Sequence, residues 1–369
     1  TLWFALNLGR EPLTVTLKSG GGLREVPLDA GSPPRLRLED GQYVRDVAPF
    51  EAFMVASAPV ASLPDPLPEI ALALDGAVQL RPQSSNLLRL GTWQMALRDA
   101  GGTYGPGAPV QPMPLAMQLT ASELSFAPNF RHFFGHVPEM QLPEMAVRYT
   151  ATFDCDYDGP VRLVMEPGSL RGDWTLTING RQTIALGDLA PVDDHVRGSL
   201  GVEVTEALHL GINTITVDLT TDRLDGGLLN VLYLAGDFGA LVDPLSIVDP
   251  VPDGRFEAYE HNLLPFYAGA IDYEMTVDLP SVPEGECVRV RLQTAEPFHE
   301  ACEVTLNGGE PHAVLWEPRA VVVPVSDLTV GTNHLHVRVF TSLIRAFEGQ
   351  WFDYEAHQYR DVGEGAVAS

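Results

Sequence analysis

The phrase GINTITVDL, Gly211 to Leu219, returns as GTNHLHVRV, Gly331 to Val339. Each opens on Gly-x-Asn and then alternates apolar with polar residues, the period of a strand that buries one face. The same segments surround both phrases in the same order. The first series reads VRYTATFD, VRLVME, WTLTINGRQ and VEVTEALHLGINTITVDL. The second reads IDYEMTVD, VRVRLQT, CEVTLNGGE and VPVSDLTVGTNHLHVRV. Tyr149 and Asn213 stand 64 positions apart, and Tyr273 and Asn333 stand 60 apart. Four matching segments over nearly equal lengths make a tandem repeat of one β unit. Gly-x-Asn is then a structural corner that tolerates unusual backbone angles before a strand.

Alternation governs the remaining chain as well. In WTLTING, Trp174, Leu176 and Ile178 share one face; in CEVTLNG, Cys302, Val304 and Leu306 do. Both segments end in Asn-Gly, the pair best suited to a tight hairpin turn. Thirty prolines and 34 glycines punctuate the sequence, which favours many short strands over long helices. The expected fold is all-β, in three parts. Residues 1–60 form a small β-sandwich unit, with strands in LWFALNL, LTVTLKS, LREVPLD, RLRLED and YVRDVAPFEAFMV. Residues 61–245 and 246–369 hold the two repeats, joined by the Pro-rich linker 57–70 and by VDPLSIVDPVPDG at 242–254. EIALALDGAVQL and NLLRLGTWQMAL are read as strands entering the middle part, and 99–145 as an extended connector. One segment has helical spacing: Phe340, Leu343, Ile344, Phe347 and Trp351 fall on one face, expected to pack on the last sandwich.

A formal charge of −26 argues against nucleic acid or an anionic membrane surface as a partner. No apolar run is long enough to cross a bilayer, and no basic-then-apolar leader opens the chain. Thr1 begins a strand-like segment and reads as a cut or processed end. Lys18 is the only lysine, a bias that fits a GC-rich genome or a salty habitat equally. Cys155, Cys287 and Cys302 are too few and too scattered for a disulfide framework or zinc site, so buried free thiols are expected. There is no Asn-x-Ser/Thr sequon, which disfavours a eukaryotic secreted glycoprotein but assigns no compartment.

The motifs that carry chemistry elsewhere fail here on context. GDFG, Gly236 to Gly239, lacks every companion of a kinase. SGGGL at 19–23 lacks the Gly-Lys-Ser/Thr of a phosphate loop and reads as a hairpin turn. His132 and His136 have a spacing that ligates metal from a helix, but Gly135 and Pro138 oppose a helix. His299-Glu300 before Cys302 lacks the Pro-Cys-x-x-Cys of a zinc deaminase. There is no nucleophile elbow, and 49 acidic residues make carboxylate proximity unreadable. No catalytic residue, metal site or cofactor is therefore expected. Exposed aromatic rings beside polar groups are the remaining chemistry, because sugars stack their C–H faces on such rings. Trp316, Trp351 and Tyr354 are the carbohydrate-binding candidates, with Phe352 beside them; Trp174 alternates in phase with Leu176 and Ile178 and is expected in the core.

LNVLYLAGDFGAL (229–241), LLPFYAGAIDYEMTVDL (263–279), LNGGEPHAVLWEP (306–318) and GTNHLHVRV resemble the C-terminal region of large bacterial glycoside hydrolases of the α-L-rhamnosidase type. Asn307-Gly308, Trp316 with Pro318, and Gly331, Asn333 and Leu335 fill that family's places for a hairpin, a tryptophan near proline and a Gly-x-Asn-x-Leu strand. LWFALNLGREPLTVTL with VAPFEAFMV resembles the β unit that follows the catalytic barrel in such enzymes. The likeness covers most of the chain, least so over 99–140. It implies two tandem galactose-binding-like jelly rolls after the small unit, a catalytic barrel upstream in the same polypeptide, and catalytic carboxylates in that barrel. The expected role is a non-catalytic accessory region that supports the barrel and holds poly- or oligosaccharide. A purely structural or cell-surface module without glycan contact is the alternative, and an active site within this chain ranks last.

Overall fold

Gly-rich turns and alternating segments give short antiparallel strands throughout. The computed structural model describes residues 2–8, 11–19, 22–26, 35–48, 51–57, 67–74, 76–124, 141–223, 225–294, 300–315, 319–353 and 356–363. The protein is nearly all β, as its alternation requires.

The small N-terminal part holds two three-stranded sheets. One runs Leu2–Leu6, Ala52–Ala56, Arg24–Val26; the other runs Leu13–Leu17, Gln42–Val47, Arg37–Glu39. Among the described residues its core is the cluster Val47, Phe53 and Val55, with Ala5, Val15, Leu17 and Leu36 packed against it. Arg45 is buried with them and bonded to Glu25 and Glu51 at 3.0 and 2.7 Å.

The first repeat packs one sheet over another. The larger sheet has the order Ala108–Val110, Trp93–Leu97, Gln141–Asp156, Gly211–Arg223, Asp173–Ile178, Gln182–Ile184. The facing sheet runs Ala190–Pro191, Leu200–Glu203, Val161–Met165, Leu232–Gly236, Asn86–Leu90. Alternation sends Val147, Tyr149, Ala151, Phe153 and Ile215, Val217, Leu219 into the shared core. The connector differs from the extended form expected: it includes the helix Leu115–Leu124, and Leu115 is buried in that core.

The second repeat has the same plan. Its larger sheet runs Asp253–Arg255, Ala77–Pro82, Ala270–Leu279, Gly331–Phe340, Ala301–Leu306, His312–Val314. Its smaller sheet is Ala320–Pro324, Cys287–Gln293, Glu69–Ala73. Here the pairing departs from the sequence reading. Glu69–Ala73 and Ala77–Pro82, expected in the middle part, pair with Cys287–Gln293 and Ala270–Leu279 instead. Alternation announces a strand but not its partner, and partner choice here is a contact across about two hundred positions.

The predicted helix shrinks to Ile344–Glu348, ended by Gly349 at φ 65°. Phe340 ends a strand and Trp351 lies in the strand Gln350–Asp353. The helix also packs elsewhere than expected. Ala346 is fully buried in the first repeat's core, Tyr233 Oη donates to Ala346 O (3.2 Å), and Arg89 donates to Phe347 O. Phe266 and Val362 join the same core, so residues after 260 complete the packing of the earlier repeat.

Candidate functional site

The doubled phrase resolves into one device built twice. Asn179 and Asn307 sit at φ 51° and 49° before Gly180 and Gly308 at 65° and 74°, as a two-residue turn with both angles positive demands. Asn179 Nδ2 donates to Asn213 Oδ1 at 2.7 Å, and Asn307 Nδ2 to Asn333 Oδ1 at 2.8 Å. Each second asparagine then holds its own corner. Asn213 Nδ2 donates to His209 O and Gly211 O, and Asn333 Nδ2 to Thr329 O and Gly331 O. Both are fully buried, and each Oδ1 also accepts from a backbone N–H, of His209 or Thr329. All hydrogen-bonding capacity is spent inside the protein, so the phrase marks a latch and not a ligand site.

Of the aromatic candidates, Trp351 is described: it is half-buried, pairs across its hairpin with Arg360 and packs on the first repeat's core. Trp316 and Tyr354 lie outside the described residues, as do His132, His136 and His299. Trp174 packs on the core as expected and stays half-buried, on the same face of its strand as Leu176 and Ile178. Phe238 of GDFG is core. The three cysteines are free thiols, Cys155 and Cys302 buried and Cys287 half-buried; burial pushes the Cys302 thiol up to about 12.

A carboxylate neighbourhood exists in the second repeat. Burial, then the Glu300 carboxylate nearby, push Glu257 up to about 8, and burial raises Glu300 too. Arg319 donates to Glu300 O (3.0 Å), and Arg345 lies over the Tyr259 ring at 4.3 Å. Both shifts favour the neutral acid, at two residues that are half-buried.

The groove beside Trp174 is the feature sequence reasoning missed. On the outer face of the first repeat's larger sheet, Arg148 and Asp218 are cross-strand partners joined by two bonds of 2.7 and 2.9 Å. The tight turn after Arg98 is closed by Asp99, which accepts from Thr103 N and Gly102 N, with Gly102 at φ 86°. That turn carries Tyr104 over the Arg148 guanidinium, 4.2 Å from ring centroid. Burial, then the Asp218 carboxylate, raise the Tyr104 phenol above its usual range. Arg98, Tyr104, Arg148, Asp173, Trp174 and Asp218 line a groove of about 510 Å³.

Comparison with protein-family models and with curated proteins gives no match. Among solved structures the chain is similar to a β-D-mannosidase from Dictyoglomus thermophilum, at 12% identity and TM-score 0.29, over 69% of this chain and 31% of that one. It is similar to a β-glucuronidase from Ruminococcus gnavus at 10% identity and TM-score 0.28, over 71% and 43%. A Faecalibacterium prausnitzii β-glucuronidase gives 13% and 0.28, over 66% and 41%. The chain spans less than half the length of each of these neighbours.

Proposed function

We propose that this chain is a non-catalytic accessory region of a glycoside hydrolase, of the α-L-rhamnosidase type, whose N-terminal unit docks on the catalytic barrel of the same polypeptide. In this reading the two repeats are galactose-binding-like jelly rolls. The supporting observation is the strand Leu2–Leu6. It lies at the edge of its sheet, and Leu2, Phe4 and Leu6 on its outer face are 65%, 63% and 46% exposed. Trp3, Leu8 and Leu13 are exposed as well, while the unit's own core cluster among the described residues is small: Val47, Phe53 and Val55. Contiguous exposed apolar surface of this kind marks a contact surface, and an open strand edge invites one. The sequence resemblance names the occupant.

The test is a Leu2→Ser, Phe4→Ser, Leu6→Ser variant, made both in the isolated chain and in the full-length gene product. The isolated chain should melt within about 2 °C of its parent, because these side chains bury little within it. The full-length enzyme should lose several degrees in its catalytic transition. Equal effects in both settings, or an upstream coding sequence without a glycosidase barrel, would sink the reading.

A further inference from the structure

The first repeat's facing sheet is covered on its outer side by two pieces of chain from distant parts of the sequence. Pairing sets Gly201, Val164, Tyr233 and Arg89 in one row across that sheet. The row shares its face with Arg162, whose side chain is 43% exposed, so it points away from the sandwich. Yet the strand Leu232–Gly236 is buried at every position. One cover is the loop 192–199. Gly201 admits it by having no side chain, since an added Cβ would stand 3.0 Å from Val192 Cγ1. Asp194 ties the loop down, accepting from Ser85 Oγ at 2.7 Å and from Arg162 Nη1 at 2.6 Å. The other cover is the helix Ile344–Glu348, held by the bonds of Tyr233 and Arg89 to Ala346 O and Phe347 O. The two covers meet at His195. Its ring centroid lies 4.4 Å from that of Tyr233 and 5.0 Å from that of Phe347. The side chain is completely enclosed, and neither ring nitrogen has a hydrogen-bond partner.

We infer that His195 is an acid-operated release: a proton on its ring parts the loop 192–199 from the C-terminal helix. A neutral imidazole enclosed here gives up the water on one N–H and one lone pair, whereas an imidazolium would give up the hydration of a full charge. Burial accordingly lowers the titration of the ring below its usual range. The charges around it do not reverse this. Glu166 Oε1 stands 3.8 Å from Nε2, beyond hydrogen-bond length, and its side chain is 28% exposed. Glu348 and Arg89 both act on the adjacent Tyr233 and oppose each other in sign. Asp194 is already shared between Ser85 and Arg162, and Asp193 and Arg197 of the loop are exposed. Burial raises the Tyr233 phenol, which therefore stays a donor to Ala346 O throughout. A released ring takes up its proton near pH 6.5, and the enclosed ring only below that. The contact is thus intact above about pH 6.5 and weakens as pH falls, the opening constant rising up to about tenfold per unit. The release acts within this chain and does not depend on docking to a barrel.

Hydrogen exchange of the Phe347 and Val362 amides reads the joint, because they donate to Leu343 O and Gly349 O within the released segment. Between about pH 7.5 and pH 5.5, corrected for intrinsic exchange, their protection should fall at least about fivefold. Amides of Gly331–Phe340, in the second repeat's own sheet, should keep theirs. His195→Phe keeps a ring in place that cannot take a proton, and it should abolish the pH response. His195→Gln is the second variant, smaller and equally unable to titrate. Nitrogen-detected NMR of the ten histidine rings gives the titration directly, the His195 signal being the one lost in either variant. That titration should lie below about pH 6.5 in the folded chain. A His195 titration at or above this value would overturn the inference. So would protection that does not fall, a fall that persists in both variants, or an equal fall throughout Gly331–Phe340. Each of these results leaves the docking experiment on Leu2, Phe4 and Leu6 to be judged by itself.

Discussion

Asn213 and Asn333 each satisfy two backbone carbonyls, one backbone N–H and the amide of a second asparagine from a fully buried position. Replacement by alanine removes all of these partners at once and leaves polar groups sealed from water. Each orphaned group costs about 1–3 kcal/mol, so Asn213→Ala or Asn333→Ala should lower unfolding free energy by about 2–4 kcal/mol in urea titrations. Asn→Asp should be no better, because a carboxylate cannot donate and is buried with a charge. The latch was legible in the sequence as a repeated Gly-x-Asn after a repeated Asn-Gly; only their mutual bond needed coordinates. The groove was not legible. Tyr104 and Arg148 lie 44 positions apart and meet only because the turn after Arg98 folds back. One signal was present: aligning VRYTATFD with IDYEMTVD, and GINTITVDL with GTNHLHVRV, sets Arg148 against Asp272 and Asp218 against Arg338. A reciprocal exchange of charge at two aligned positions is the mark of a cross-strand contact.

Strands in this protein are set by alternation, and their registers by the latches and by that ion pair. The pair is half exposed in the first repeat, so its strength is modest. Arg148→Asp or Asp218→Arg alone places like charges on facing residues and should cost about 1 kcal/mol, and the double exchange should recover most of that, as the second repeat already demonstrates with its own sequence. A double-mutant cycle by chemical denaturation measures the coupling. The sequence placed most individual strands correctly, because period two is a local property. It misassigned Glu69–Ala73 and Ala77–Pro82 for the complementary reason: nothing within EIALALDGAVQL distinguishes strands that pair with their neighbours from strands that pair with Cys287–Gln293 and Ala270–Leu279. The helix was overread for a similar cause. Phe340 and Trp351 have helical spacing but belong to flanking strands, and the chain turns between them in five helical residues.

On the scale of the molecule, the two repeats are not independent. Ala346, Phe266 and Val362 fill the core of the first repeat, and Trp351 packs against it. An Ala346→Asp substitution buries an unpaired charge there and should cost about 3 kcal/mol or more. Its effect should appear on probes within residues 86–248, far earlier in the chain, and hydrogen exchange of the Val161–Met165 and Leu232–Gly236 amides reads it directly. A loss of protection confined to residues after 253 would contradict the shared core. The interleaving also sets an order of events during synthesis. Ala77–Pro82 emerge from the ribosome 188 residues before Ala270, the start of the strand they pair with, since 270 − 82 = 188, and Glu69–Ala73 wait longer still for Cys287–Gln293. At about 5–20 residues per second, that is a wait of roughly 10–40 s. Throughout it the intervening repeat is free to collapse while two apolar strands stay unpaired beside it. Residues from Ile344 onward then add Ala346, Trp351 and Val362 to the first repeat's core, so that core is completed only after the second repeat's strands have been made.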